Sequence, residues 1–218
     1  RVILKDRQIT GLKAASFLNV RVAHEIKGCA DQVLPFLYVK WKICEYIDCF
    51  STWMWKNTLL RDLIRQVSDG SSQKAGKCSF AGVNVGVADE RSELGACYQG
   101  VPQNDLGMRT DVLDGCPKSE GMLMLIRSMA PAVVAVDEIG GKEDIKAVEY
   151  VRNCGCALAA TAHGSSLEEL KERAGFRELL EEKTFERLVF LSRKRECRGK
   201  VEVVYDSGFN RLYSGRTF

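Results

Sequence analysis

Between Gly28 and Gly70 the chain contains no glycine, although 19 glycines are spread over its 218 residues. That stretch therefore lacks the one residue that enters left-handed backbone conformations without strain and lets successive backbone amides close around an anion. Proline is scarce (4), histidine scarcer (2), and no apolar run approaches the roughly 20 residues that cross a bilayer. Charge of one sign is also lacking. Thirty-two Lys and Arg against 29 Asp and Glu leave a formal +3, too small a surplus to point by itself to nucleic acid or a membrane surface. The nine cysteines are odd in number and show no zinc-ligand spacing, which favours a reducing cytosol over a disulfide framework. Cys154-Gly155-Cys156 reads as small residues of a buried strand rather than a redox or metal pair. The start, Arg1-Val2-Ile3-Leu4-Lys5-Asp6, is no signal peptide, and without an initiator Met the chain reads as a fragment.

What is present is the composition of a soluble globular chain, 45% apolar and 28% charged, a little over one typical domain in length. Residues 1–39 read as a short β-rich unit. Phe17 to Val22 alternate as a strand, and a helix from about Lys27 to Tyr38 is interrupted by Pro35. From Leu59 the apolar residues recur at helical spacing through Leu60, Leu63, Ile64 and Val67, and Asp69-Gly70 supplies a stop. Strands and helices then alternate. Val83, Val85 and Val87 mark a strand ending at Asp89-Glu90, a helix spans Met122 to Met129, and an apolar strand runs from Ala132 to Val136. A helix follows from about Lys142 to Asn153, then a small-residue strand from Cys156 to Thr161, a helix from Leu167 to Arg173 and a strand from Leu188 to Leu191. Val201 to Asp206 and Arg211 to Tyr213 form a terminal hairpin about Ser207-Gly208. Helices between doubly buried strands predict an α/β domain with a mainly parallel sheet over residues 40–218.

Ligands of open parallel sheets sit beyond the carboxyl ends of the strands, so the strand ends carry the chemistry. Val133-Val134-Ala135-Val136-Asp137-Glu138 has the form of a Walker B element. Asp137 is suited to the shell of a nucleotide-bound Mg2+, and Glu138 to orienting or deprotonating the attacking water. The plain alternative is a strand that ends in an acidic turn. Glu90 ends a second strand and can reach the same metal or water, or simply pair with Arg91. His163 lies in Thr161-Ala162-His163-Gly164 at the end of a third, as a member of the site or as a structural imidazole.

A phosphate-binding loop belongs just before the helix at Leu59, and the residues there are Phe50-Ser51-Thr52-Trp53-Met54-Trp55-Lys56-Asn57-Thr58. Lys56 and Thr58 are in place, but two indoles stand where glycines are needed. Trp and Met have one codon each, so Trp53-Met54-Trp55 fixes the DNA as TGG-ATG-TGG. Read one base downstream, it encodes Gly-Cys-Gly, followed by Lys or Arg for Lys56 and Thr or Ile for Asn57. The same shift forces Trp41 to Gly and allows Thr-Leu-Ile-Val for Tyr46 to Cys49, a buried strand. A single shifted frame over about residues 40–57 is therefore expected, produced by two compensating one-base errors or a real double frameshift; the alternative is a genuine Trp-rich loop.

With Asp89-Glu90-Arg91-Ser92-Glu93, Tyr98-Gln99-Gly100-Val101-Pro102-Gln103-Asn104-Asp105, Arg109-Thr110-Asp111-Val112-Leu113-Asp114, Val136-Asp137-Glu138-Ile139-Gly140 and Ala160-Thr161-Ala162-His163-Gly164 in this order, the chain closely resembles the stage III sporulation protein AA family. The resemblance implies a RecA-like P-loop ATPase related to secretion and pilus-retraction ATPases, using ATP and Mg2+. It would act as a ring, a hexamer, at the cytosolic side of the channel between mother cell and forespore. Its partners would be membrane proteins of that channel. By this resemblance the loop Trp53, Met54, Trp55, Lys56, Asn57 and Thr58 would meet the phosphates, with Lys56 neutralising their charge and Thr58, or a Thr restored at Asn57, ligating Mg2+. Asp137 would hold the metal shell, Glu138 or Glu90 the water, and His163 would sense the γ-phosphate. Arg109 or Arg127 would supply the arginine that a ring ATPase places on a neighbour's phosphate. The rival reading is a degenerate P-loop scaffold, or a nucleic-acid-binding module using Arg193, Lys194, Arg195, Arg198 and Lys200, a run that otherwise makes a solvated turn.

Overall fold

Runs of four to seven small or β-branched apolar residues separated by amphipathic stretches build this chain. The computed structural model describes residues 2–5, 8–12, 25–39, 42–43, 46–50, 55–71, 80–192 and 199–215. The strands β1 (Val2–Lys5) and β2 (Gln8–Leu12) pair antiparallel. A 3-10 turn at Cys29–Gln32 leads to α1 (Leu34–Leu37), the short antiparallel pair β3 (Tyr38–Val39) and β4 (Lys42–Ile43), then β5 (Tyr46–Phe50) and α2 (Lys56–Asp69). The pair β6 (Gly70–Ser71) and β7 (Phe80–Ala81) precedes β8 (Val85–Asp89), β9 (Thr110–Asp114), α3 (Lys118–Met129), β10 (Val133–Val136) and α4 (Lys142–Asn153). The remaining elements are β11 (Ala157–His163), α5 (Leu167–Glu172), α6 (Ala174–Glu181), β12 (Arg187–Leu191) and the hairpin β13 (Val201–Asp206) with β14 (Arg211–Ser214).

Eight strands form one sheet in the order β14-β13-β12-β5-β11-β10-β8-β9. From β12 to β9 every pairing is parallel, while β13 and β14 close one edge antiparallel. Successive side chains of a strand face opposite sides, and the core divides accordingly. Val85, Val87, Val133, Ala135, Ala157, Ala159 and Val189 pack with α2 residues Leu59, Leu60, Leu63 and Ile64. Ala88, Val134, Val136, Leu158, Ala160, Leu188 and Phe190 pack with α3, α4 and α6 through Met122, Leu125, Val148, Val151, Phe176 and Leu179. Helices thus cover both faces of a parallel sheet, the expected α/β architecture. Ala30, Val33, Leu34 and Leu37 lie in the same core as α2, so the end of the 1–39 unit shares its packing.

Several expectations are corrected in detail. The helix drawn from Lys27 to Tyr38 is a 3-10 turn followed by the single-turn α1, because Pro35 has no amide to donate and fits only the first turn. The Val83 strand starts at Val85, and the strand β9 and the helix α6 were not anticipated. Cys154 and Gly155 make the turn that closes α4, with Gly155 at φ 77°, and the strand begins at Ala157. The alternating segment Phe17 to Val22 lies outside the described residues.

Candidate active site

The carboxyl ends of β5, β8, β10 and β11 converge on one edge of the sheet. Directly after β10 come Asp137 and Glu138. Asp137 is 2% exposed, and its Oδ1 has no hydrogen-bond partner among the described residues. Burial pushes its carboxyl up to about 6; Lys118 and Lys56 oppose the shift, while Asp89 and Glu93 add to it. Glu138 has φ 46°, unusual for a residue with a side chain. Its amide donates to Thr161 Oγ1 at 2.8 Å. Its carboxylate lies between two cations or potential cations, Lys56 Nζ at 2.7 Å and His163 Nε2 at 3.1 Å. Burial pushes the Glu138 carboxyl up, but the Lys56 hydrogen bond and the charges of Lys56, His163 and Lys118 outweigh it and hold the group below the usual range.

Lys56 opens α2 and is completely buried. The next residue, Asn57, donates Nδ2 to Glu93 Oε2 at 2.6 Å, while its Oδ1 has no partner among the described residues. Thr58 is buried, and its carbonyl accepts from Cys29 Sγ at 3.5 Å. One turn on, Arg61 donates to the carbonyls of Leu94 at 2.8 Å and Glu93 at 2.7 Å, tying α2 to the segment after β8. That segment is folded about Asp89, whose buried carboxylate accepts from the amides of Glu93, Leu94 and Gly95. Trp55 is half-buried and packs against the core beside Gly199, where a Cβ would stand 2.6 Å from its Cε3. Trp53 and Met54 lie outside the described residues.

Lys56, Glu138 and His163 are therefore brought into direct contact, with Asp137 and Asn57 next to two of them in the chain. Glu90 belongs to the same edge but is exposed and approaches Lys118 at 3.5 Å rather than Lys56 or His163. Arg109 is not brought there. It precedes β9 at the amino ends of the strands, its carbonyl accepts from Val85, and its guanidinium donates to Ser68 O at the last turn of α2. Arg127 is exposed near the end of α3. Of the basic run, Arg193, Lys194, Arg195 and Arg198 lie outside the described residues, and Lys200 is exposed. Lys118 and Glu93 were not singled out from sequence. A Lys beginning a helix just after a strand end, in Asp114-Gly115-Cys116-Pro117-Lys118, was the available signal for the first.

No group of three or more His, Cys, Asp or Glu among the described residues could hold a metal ion. The unpartnered oxygens of Asp137 and Asn57 instead suit a Mg2+ that takes one or two protein ligands and completes its shell with phosphate and water.

The profile of the family described as "Sporulation stage III, protein AA" matches residues 1–212. Stage III sporulation protein AA of Bacillus subtilis strain 168 is 40% identical over 213 residues, covering 97% of this chain and 66% of the relative. The chain thus spans about two thirds of that relative's length. Among solved structures, the Legionella pneumophila ATPase DotB superposes with a TM-score of 0.58 at 16% identity, over 84% of this chain and 51% of that one. The VirB11 ATPase of the Brucella suis type IV secretion system, in complex with sulphate, gives 0.54 at 13% identity over 82% and 51%. These likenesses show that the chain shares its α/β fold with those two proteins.

Proposed function

The chain belongs to the sporulation stage III protein AA family, and on that premise we propose that it descends from, and with an intact loop acts as, an ATP-hydrolysing motor of a secretion-like channel in endospore formation. The observation that carries the proposal is the contact of Lys56 and His163 with the two carboxylate oxygens of Glu138 at the strand-end edge. An ammonium and an imidazole on either side of a carboxylate are what a phosphoryl-transfer site needs once phosphate displaces the lysine: a cation for the phosphate, a base for the water and a group that reports phosphate to the base.

In this reading Lys56 leaves Glu138 for the β/γ-phosphates. Asp137, with Asn57 or Thr58, holds Mg2+, which supplies charge neutralisation at the phosphates. Glu138 orients the water, because it alone of the two candidate carboxylates touches both Lys56 and His163; Glu90 supports it from the Lys118 side. An arginine from a neighbouring subunit completes the site, Arg109 or Arg127 being the sequence candidates, in a ring at the cytosolic face of the mother-cell membrane. Channel membrane proteins are its partners there. Among the described residues no helix is long and apolar enough to cross a membrane, which is consistent with a peripheral placement. The division into a 1–39 unit and a 40–218 ATPase domain is part of the same proposal.

Mg2+-dependent ATP turnover by the chain with residues 40–57 read in the restored frame tests this. Glu138→Gln in that background is expected to keep ATP binding and to lose about a hundredfold or more in turnover, and Glu90→Gln to lose less. Parent-rate hydrolysis by both variants sinks the assignment. A second reading, a nucleotide-free scaffold, draws on Trp55 standing where a loop glycine belongs. It requires that neither the present nor the restored chain bind ATP, and steeply salt-dependent RNA or DNA binding would then give the scaffold its ligand.

A further inference from the structure

Lys118 has no part in the scheme above, yet it reaches further into the acid edge than any helix-opening residue needs to. Its ammonium donates to the carbonyl of Glu138 at 2.9 Å and of Asp137 at 3.3 Å, and stands 3.5 Å from the Glu90 carboxylate. The side chain is 13% exposed. The first residue of a helix is also the wrong place for a cation, because the aligned peptide dipoles make that end positive. A partly buried ammonium in that position needs strong compensation, and here two carbonyl oxygens and a carboxylate provide it.

The carbonyls it grips belong to the turn that leaves β10. Glu138 has φ 46° there, a conformation that a residue with a Cβ keeps only where its surroundings over-determine it. Thr161 holds the Glu138 amide, Lys56 and His163 hold its carboxylate, and Lys118 holds its carbonyl. Without the carbonyl contact, the 138–139 peptide is held on its amide side alone, where Ile139 N–H donates to the Thr161 carbonyl at 2.8 Å, and the turn that aims the carboxylate toward His163 loses one of its restraints. We infer that Lys118 is a positioning residue, fixing the Asp137-Glu138 turn so that the Glu138 carboxylate stays aimed between Lys56 and His163. The inference rests on the proposed ATPase site for its meaning, but its geometry is testable without nucleotide.

In the chain as it stands, the imidazole resonances of His163 are followed by NMR, the other histidine, His24, being removed by His24→Gln for assignment. Lys118→Met is expected to move the His163 ring signals toward their position in Glu138→Ala, while Lys118→Arg leaves them near the parent. Should Lys118→Met fail to fold, Lys118→Ala, which keeps a strong helix former at that position and removes both the charge and the donor, is read the same way. In the frame-restored chain, Lys118→Met is expected to lower kcat by about tenfold or more with KM for ATP within about threefold, and to add nothing to Glu138→Gln. Unmoved His163 signals in a folded Lys118→Met overturn the inference and leave the ATPase reading untouched. So does a loss expressed wholly in KM, which would mean that Lys118 binds phosphate itself. Moved His163 signals in a protein whose restored parent hydrolyses no ATP uphold the positioning role and overturn the ATPase reading.

Discussion

The carboxylate of Asp137 carries the sharpest conflict at the acid edge, since it is buried, one oxygen is unpartnered, and its pKa is pushed to about 6 from 3.8. An acid whose folded-state pKa is raised binds its proton more tightly folded than unfolded. The stability gained from that proton is fully present below about pH 4 and is lost as pH rises through about 6. Asp137→Asn keeps the shape without the charge. In the ligand-free protein it is expected to melt about 2–4 °C above the parent at pH 7.5 and to show little advantage at pH 4, as thermal melts at the two pH values would record. Equal gains at both would mean that the carboxylate's ionisation is not what costs stability. The same variant should lose the Mg2+ dependence of nucleotide binding, so a stabilising change that removes function would mark Asp137 as a residue kept for its ligand. Asp137, Glu138 and His163 were legible from sequence because each directly follows or ends an apolar strand. Lys118 was not, because its meaning arises only where the start of α3 meets the end of β10, 19 and 20 residues away in the chain.

At the scale of elements, α2 and the turn before β13 are joined through one aromatic contact. Gly199 has φ 77°, and a Cβ there would stand 2.6 Å from Trp55 Cε3, so Gly199→Ala meets both backbone strain and the indole. The expected loss is about 1–3 kcal/mol, and Trp55→Gly should recover only the steric part, because the positive φ remains. A double-mutant cycle by denaturant unfolding measures the split; additive effects would mean that Trp55 does not sit over Gly199. The strands β8, β10, β11 and β12 could be read from their apolar runs because they are buried throughout or nearly so. The strand β9 could not, since Thr110-Asp111-Val112-Leu113-Asp114 lies at the sheet's edge and is only partly buried. The helix α6 was hidden by Gly175, which ordinarily argues against a helix interior but here lets Ile145 approach to 3.0 Å of where a Cβ would be. The segment Tyr46-Ile47-Asp48-Cys49 includes an acid, yet its backbone pairs with β11 and β12 at the middle of the sheet, since ladder hydrogen bonds are made by main-chain groups whatever the side chains are.

For the whole molecule, folding and phosphate binding draw on largely separate parts of the sequence, β5 being the one strand of the eight-stranded sheet that lies inside the shifted window. Among the described residues, the two cores flanking the sheet are built from residues after Lys56 and from the 30–37 segment, with Trp55 packed against one of them. The Lys56-Glu138-His163 contact therefore forms in the chain as it stands. What the chain does not have is the glycine-containing loop before Lys56. A residue with a large side chain resists the positive-φ geometry that turns successive amides toward one anion, and a lone ammonium gives charge without that cradle. The chain is thus expected to fold over much of its length and to bind ATP poorly. Trp53→Gly and Trp55→Gly with Asn57→Thr should recover part of the affinity, and repair of the whole 40–57 window more, because it also supplies the strand that positions the loop. Titration of a fluorescent ATP analogue with Mg2+ into the three proteins ranks them. Equal, tight binding by the unaltered chain would show that the nucleotide does not sit on the loop before α2, and the site built around Lys56 would then have to be assigned to another anion.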